Sequence, residues 1–272
     1  CRAGAIAVFA LSTSTRFALP RNLLLTYTSS IPEARTTSLK RKARIAGLWY
    51  LALSPCTFYL VYVPSQTVAR NDAAATAARV LGHETLYRWG MVAETLCAAI
   101  FIGLSLALYR LFENVDRNRA RQLVALVLVS SALNLVAVAF SVGALLIFRG
   151  GNAFAGLDAH TRQAIGMLLI QMHAHTEGIN EMFWGLWLLP FGSLVIRSRF
   201  LPRWLGYWLL LDGIAWVVMS MTWFVAPDYT AALFRYFQPA GAAEIAAILC
   251  LLFMCLLFMR ASAKEQPSPV AT

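Results

Sequence analysis

The sequence predicts an all-α protein: a polytopic transmembrane helix bundle of six spans with both termini on the cytoplasmic side. Three observations lead there. Hydrophobic residues fill 59% of the 272 positions and charged residues only 13%, whereas soluble domains use roughly 25% charged residues. Apolar runs recur at the ~20-residue length that crosses hydrocarbon. Lysine and arginine fall in short clusters between those runs, so the net charge of +10 marks membrane orientation. The partner this predicts is the lipid bilayer, with no nucleic acid.

Residues 1–39 are expected to be a disordered leader or an overextended N-terminus. They are rich in Arg, Ser and Thr, Glu33 is the one acid, and the apolar piece 4–11 is too short to span. Transit peptides share that composition. The transmembrane domain is expected over 40–260. Lys40, Arg41, Lys42 and Arg44 precede span one, 45–63, which Pro55 interrupts and Pro64 ends. Asn71-Asp72 before an alanine-rich run signals a capped helix on the membrane surface.

Span two, 87–112, carries Glu94 as its acid. The basic loop 113–121 leads to span three, 123–148, where Ser130, Ser131 and Asn134 are suited to interhelical hydrogen bonds. Span four is long, 163–196, and the tight turn 197–203 makes span five, 204–225, its antiparallel neighbour. Pro227-Asp228 is read as a break, Pro239 as the opening of span six, 240–259, and 261–272 as a disordered tail. Tyr87, Trp89, Trp49, Trp204 and Tyr207 near span ends fit interfacial anchors. The five cysteines form no C-x-x-C pair, and read as small buried or lipid-facing side chains.

The Lys and Arg asymmetry sets the sidedness. Residues 40–44, Arg110, Arg117, Arg119, Arg121, Arg197, Arg199, Arg203, Arg260 and Lys264 fall on one side. Arg70, Arg79, Arg88, Arg149, Arg162 and Arg235 fall on the other. The first is the cytoplasmic side.

Span four is the polar spine. At ~100° per residue, His173, Glu177, Asn180, Glu181 and Trp184 share one stripe, and His175 points away. A rise of ~1.5 Å per residue places Glu94 roughly 10 Å and Glu244 roughly 6 Å below the outer surface. Glu177 falls near the outer boundary, Glu181 about 6 Å deeper, His173 at or beyond the surface, and Asp212 closer to the midplane. A charged group facing lipid costs ~2.5–3.5 kcal/mol on insertion scales, so these groups are expected to converge on one polar cavity.

Several pieces together resemble the bacterial membrane proteins of the domain of unknown function 4386 family. They are Arg44-Ile-Ala-Gly-Leu-Trp-Tyr50, Asp72-Ala-Ala-Ala-Thr-Ala-Ala78, Arg88-Trp-Gly with Glu94, and Ala107-Leu-Tyr-Arg-Leu-Phe112. The longest runs from Phe183-Trp-Gly-Leu-Trp-Leu-Leu-Pro190 through Phe200-Leu-Pro-Arg-Trp-Leu-Gly206. The resemblance covers about 40–259 and implies a six- or seven-helix membrane protein without an assigned activity. It also implies that His173, Glu94 and Glu244 occupy family positions, while Glu177, Glu181 and Asp212 are peculiar to this sequence.

The residues leave four functions open. Protonated acids could supply only interhelical hydrogen bonds. The bundle could hold a cleft for a proton-coupled or cationic small solute. The chain could be a structural or interaction subunit of a membrane complex. It could also be a metal-assisted enzyme in which His173 and Glu177 share an ion, although a usual site needs a third ligand and H-E-x-x-H is absent. No nucleotide or nucleophile-elbow fingerprint appears. The cofactor, any metal, and the small-molecule or protein partner stay unassigned, and an enzymatic role is the less favoured.

Overall fold

The computed structural model describes residues 21–254, and every regular element among them is helical. In chain order they are α1 (Arg21–Thr67), α2 (Ala73–Gly82), α3 (Glu84–Phe112), α4 (Arg117–Arg149), α5 (Ala159–Leu186), α6 (Leu188–Ser198), α7 (Arg203–Val225) and α8 (Pro227–Leu249). The chain separates into two units at Ser38–Leu39, and everything below concerns the second. Of the stretch expected to be disordered, 21–39 lies within α1 and 1–20 lies outside the described residues, as does the tail 261–272.

Short polar side chains start the helices. Asp72, Asp116 and Asp158 sit in extended backbone and accept from the amides of Ala75, Arg119 and Thr161 at 2.8, 3.1 and 2.9 Å. Each thereby satisfies one of the donors that a first turn leaves unpaired. Asp158 also accepts from the Thr161 hydroxyl, and these bonds hold its carboxyl below the usual aspartate range. Between α4 and α5 the chain turns through Gly150 and Gly151 at φ +69° and +114°, backbone that side chains with a Cβ avoid.

Five helical stretches are long and apolar enough to cross a membrane: Ser38–Thr67, Glu84–Phe112, Arg117–Arg149, Ala159–Ser198 and Arg203–Val225. A bent pair, Pro227–Phe237 with Pro239–Phe253, makes a sixth if it counts as one span. The outward faces of these helices are apolar (Leu96, Leu135, Leu146, Leu211 and Ile214 are all exposed), while Glu94, Ser130, Asn134, Asn180 and Asp212 are buried. Leucines outside and carboxyls inside suit a hydrocarbon solvent and no aqueous one. The chain is a multi-pass membrane protein.

Two prolines account for the departures from straight helices. Pro190 cannot donate to the Leu186 carbonyl, and the long fourth span is interrupted at Trp187, between α5 and α6. The connection expected at 227–238 is instead helical. Pro227 occupies the first turn of α8, where a missing N–H costs nothing. Pro239 lies inside α8, and the chain bends there by 47°. Past Leu249 the helix widens into a π-helical turn, Cys250–Met254.

The interior is stratified. One apolar cluster joins Ala43, Ala46, Phe101, Leu108, Phe112, Leu123, Leu188, Phe191 and Leu205. A smaller one, at the other end of the same helices, joins Val63, Val80, Tyr87, Leu145, Phe148 and Ile170. Along α3, α4 and α5 the polar residues Glu94, Ser130 to Ser141 and His173 to Glu181 fall between these two clusters. Tyr87, expected as an interfacial anchor, is in the second cluster and donates to the Ser141 carbonyl at 3.3 Å. Trp89, Trp204 and Tyr207 are exposed.

Antiparallel packing against α7 is set by four glycines. A Cβ on Gly213 would meet the Gly185 carbonyl at 2.8 Å, and one on Gly192 would meet the Gly206 carbonyl at 2.7 Å. Gly206 and Gly213 are seven residues apart along α7, and Gly185 and Gly192 are seven apart across the α5–α6 junction, so the backbones touch directly at two levels, as small residues permit in membranes.

Candidate functional site

The polar layer is built around α5. Asn180 is fully buried; its Oδ1 accepts from the Ser130 hydroxyl of α4 at 2.7 Å, and its Nδ2 faces Glu177 Oε2 at 3.5 Å. Asn134 also hydrogen-bonds the Glu177 carboxyl. One turn toward the chain start, His173 Nδ1 lies 3.0 Å from the Ala137 carbonyl and 2.9 Å from the Ser141 hydroxyl. A carbonyl only accepts, so Nδ1 carries the proton and donates, leaving Nε2 as the lone-pair nitrogen. Glu94 Oε1 of α3 is 3.9 Å from the same Nδ1, beyond hydrogen-bonding reach.

Both contacts hold the His173 ring against α4. His175 faces away, as the helical stripe requires, and accepts from the Trp223 indole at 3.4 Å. Glu177 lies within electrostatic reach of both Glu94 and Glu181.

A second group forms across the bundle. The Tyr50 hydroxyl of α1 donates to Glu244 Oε2 of α8, and Asp212 of α7 lies within electrostatic reach of Glu244. Asp212 is 2% exposed. Oxygens of Glu94, Glu177, Glu181, Asn134 and Asp212 are buried without a hydrogen-bond partner. Each such atom carries a desolvation cost that no protein group offsets.

Between the groups lies a cavity of about 140 Å³. Its polar wall is Ser130, Ser131, Asn134, Asn180 and Glu244, and its aromatic wall is Phe101, Trp184, Trp187 and Trp216. The aromatic rings interlock: Trp184 meets Trp216 and Phe101 meets Trp187 edge to face, with centroids 5.5 and 5.1 Å apart. Of the six residues singled out from sequence, Asn180 and Glu244 line this cavity. His173, Glu94, Glu177 and Glu181 are not among its lining residues, although Asn180 and Asn134, which are, hydrogen-bond the Glu177 carboxyl.

Sequence reasoning did not reach Tyr50 or the three tryptophans as site residues. Tyr50 closes the segment Arg44 to Tyr50 already singled out, and Trp184 falls on the polar stripe of α5. Trp187 and Trp216 carry no signal beyond ordinary apolar patterning. Among the described residues no group of three or more His, Cys, Asp or Glu is placed to hold a metal ion.

No curated protein and no solved structure matches the chain. The sequence model of one family does, over residues 45–255, which takes in every residue of the polar layer and the cavity. The chain belongs to the family described as domain of unknown function (DUF4386).

Proposed function

We propose that the chain crosses the bacterial cytoplasmic membrane six times through a domain spanning 40–260, with both termini inside, and that its central cavity receives a small, positively charged solute. One observation carries the solute reading. The Glu244 carboxyl stands on the cavity wall with the phenol of Tyr50 as its hydrogen-bond partner, and no lysine or arginine occurs between Arg44 and Arg70, Arg88 and Arg110, Arg121 and Arg149, or Arg203 and Arg235. A carboxyl in such surroundings is either protonated or answered by a mobile cation. The neighbouring carboxyls and His173 supply groups able to exchange protons with it.

The test is a titration of the purified full chain in detergent with chlorides of sodium, potassium, ammonium and trimethylammonium, followed by thermal unfolding and tryptophan fluorescence. A saturable response to at least one cation, weakened about tenfold or more in Glu244→Gln, is expected. If no cation gives a saturable response, or if the amide variant responds like the parent, the cavity is not a cation site.

A further inference from the structure

We infer that the solute is a small organic ammonium ion bearing at least one N–H, seated with its nitrogen toward Glu244 and Asn134 and its alkyl groups against Phe101, Trp184, Trp187 and Trp216. This rests on the cationic reading above and narrows it from any cation to one class.

The first support is a buried acceptor left without a partner. On the wall, Asn180 Oδ1 accepts from Ser130, and Glu244 Oε2 accepts from Tyr50. The Ser131 hydroxyl donates to the Ala98 carbonyl at 3.4 Å. Oδ1 of Asn134 has no hydrogen-bond partner although Asn134 is only 6% exposed, and the Glu244 carboxyl adds an acidic group to the same cavity. An unanswered amide oxygen and a carboxyl suit one or two N–H donors. A hard divalent cation such as calcium gathers six to eight oxygens, several of them from carboxylates, and no group of three or more His, Cys, Asp or Glu among the described residues is placed to hold a metal ion.

The second support is the aromatic lining. Four aromatic rings on one small cavity give a desolvated cation the ring-quadrupole attraction that recognises alkylated ammonium groups. They give a bare inorganic ion little to replace its water. Size is the third constraint. The volume of about 140 Å³ is close to the ~150 Å³ of an apolar cavity able to hold benzene, so the ligand has only a few heavy atoms. The polar and aromatic walls together exclude a purely apolar guest, which would leave Asn134 and Glu244 unanswered.

Equilibrium dialysis of the full chain in detergent with radiolabelled trimethylammonium, competed by potassium chloride or by tert-butanol, decides the matter. tert-Butanol is the neutral probe of similar size. Saturable trimethylammonium binding is expected, displaced by neither competitor at equal concentration. Glu244→Gln should weaken it about tenfold or more. Trp216→Leu should weaken it roughly two- to thirtyfold, the range of cation–π attraction, and Trp216→Phe should restore most of that loss. Circular dichroism of each variant reports whether it folds.

Potassium or sodium binding that depends on Glu244, without trimethylammonium binding, overturns the organic class and leaves the cationic cavity standing. tert-Butanol binding as well as trimethylammonium, with no effect of Glu244→Gln, overturns both. So does the absence of any binding by folded protein.

Discussion

Asn180 is the residue on which the polar layer turns, because it satisfies Ser130 with one end of its amide and approaches Glu177 with the other. Hydrogen bonds between helices in a membrane average ~0.6 kcal/mol and reach ~1.7 kcal/mol, since the unfolded state in the membrane also finds partners. Ser130→Ala should therefore cost within that range. Asn180→Ala should cost more, because it also leaves a void and deprives Glu177. A double-mutant cycle on reversible unfolding in mild detergent should return a coupling of about 0.6–1.7 kcal/mol for the Ser130–Asn180 pair. A coupling of zero would mean that the 2.7 Å bond exchanges freely with other partners. At this scale sequence reading recovers the groups whose presence in an apolar helix is itself anomalous, such as Glu94, Asn180 and Glu244. It cannot recover Tyr50, Trp187 or Trp216, because an aromatic residue in an apolar run has the same local signature in a core, at an interface or on a cavity wall.

At the scale of elements, the contact of α7 with α5 and α6 depends on hydrogen atoms standing where other residues carry methyl groups. Gly206→Ala and Gly213→Ala would each drive a Cβ into the facing helix, where carbonyl oxygens lie 2.6 and 2.8 Å away. Overpacking of this kind costs typically 1–3 kcal/mol, so both variants should lower the unfolding midpoint measurably. Gly82→Ala is the control: nothing lies within 4 Å of its Cβ position, and the change should be neutral or slightly stabilising, by up to ~1 kcal/mol. Equal effects at all three glycines would dismiss close approach as the cause. The helices themselves are legible in the sequence wherever an apolar run, a capping aspartate and a basic cluster agree, as they do for α4. α8 is legible only in part, since proline is compatible with a break, a first turn or a kink. Pro227 proves to start a helix and Pro239 to bend it, and a choice between these needs the neighbouring α7, whose Trp208 indole donates to the Pro239 carbonyl at 3.2 Å.

At the scale of the whole molecule, ion pairs fix which loops share an end. Lys42 Nζ reaches the Arg110 carbonyl at 2.9 Å and Glu113 at 3.5 Å, and Arg197 pairs with Asp116 at 2.9 Å. The approach to the first span, the α3–α4 turn and the end of α6 therefore lie together. Arg149 pairs with Glu84 at 3.2 Å at the opposite end. The first end gathers most of the lysine and arginine in short connections, which predicts that it is cytoplasmic. Topology reporters fused after Asn118 and after Asn152 should accordingly report the cytoplasm and the exterior. A third fusion, after Thr272, tests the bent helix. If Pro227–Phe237 and Pro239–Phe253 form one span despite the 47° bend between them, α8 starts at the exterior end and the reporter is cytoplasmic. If the bend turns the chain back, the reporter appears outside, the span count falls to five, and Glu244 approaches the cavity from a re-entrant segment. Such a segment is tolerated at membrane depth only where protein or a water-filled cavity covers its backbone. Because Glu244 is bonded to Tyr50 of α1 and lines the central cavity, Glu244→Gln should then alter protection of the α8 amides as well as ligand binding. In the six-span arrangement, its effect should stay confined to binding.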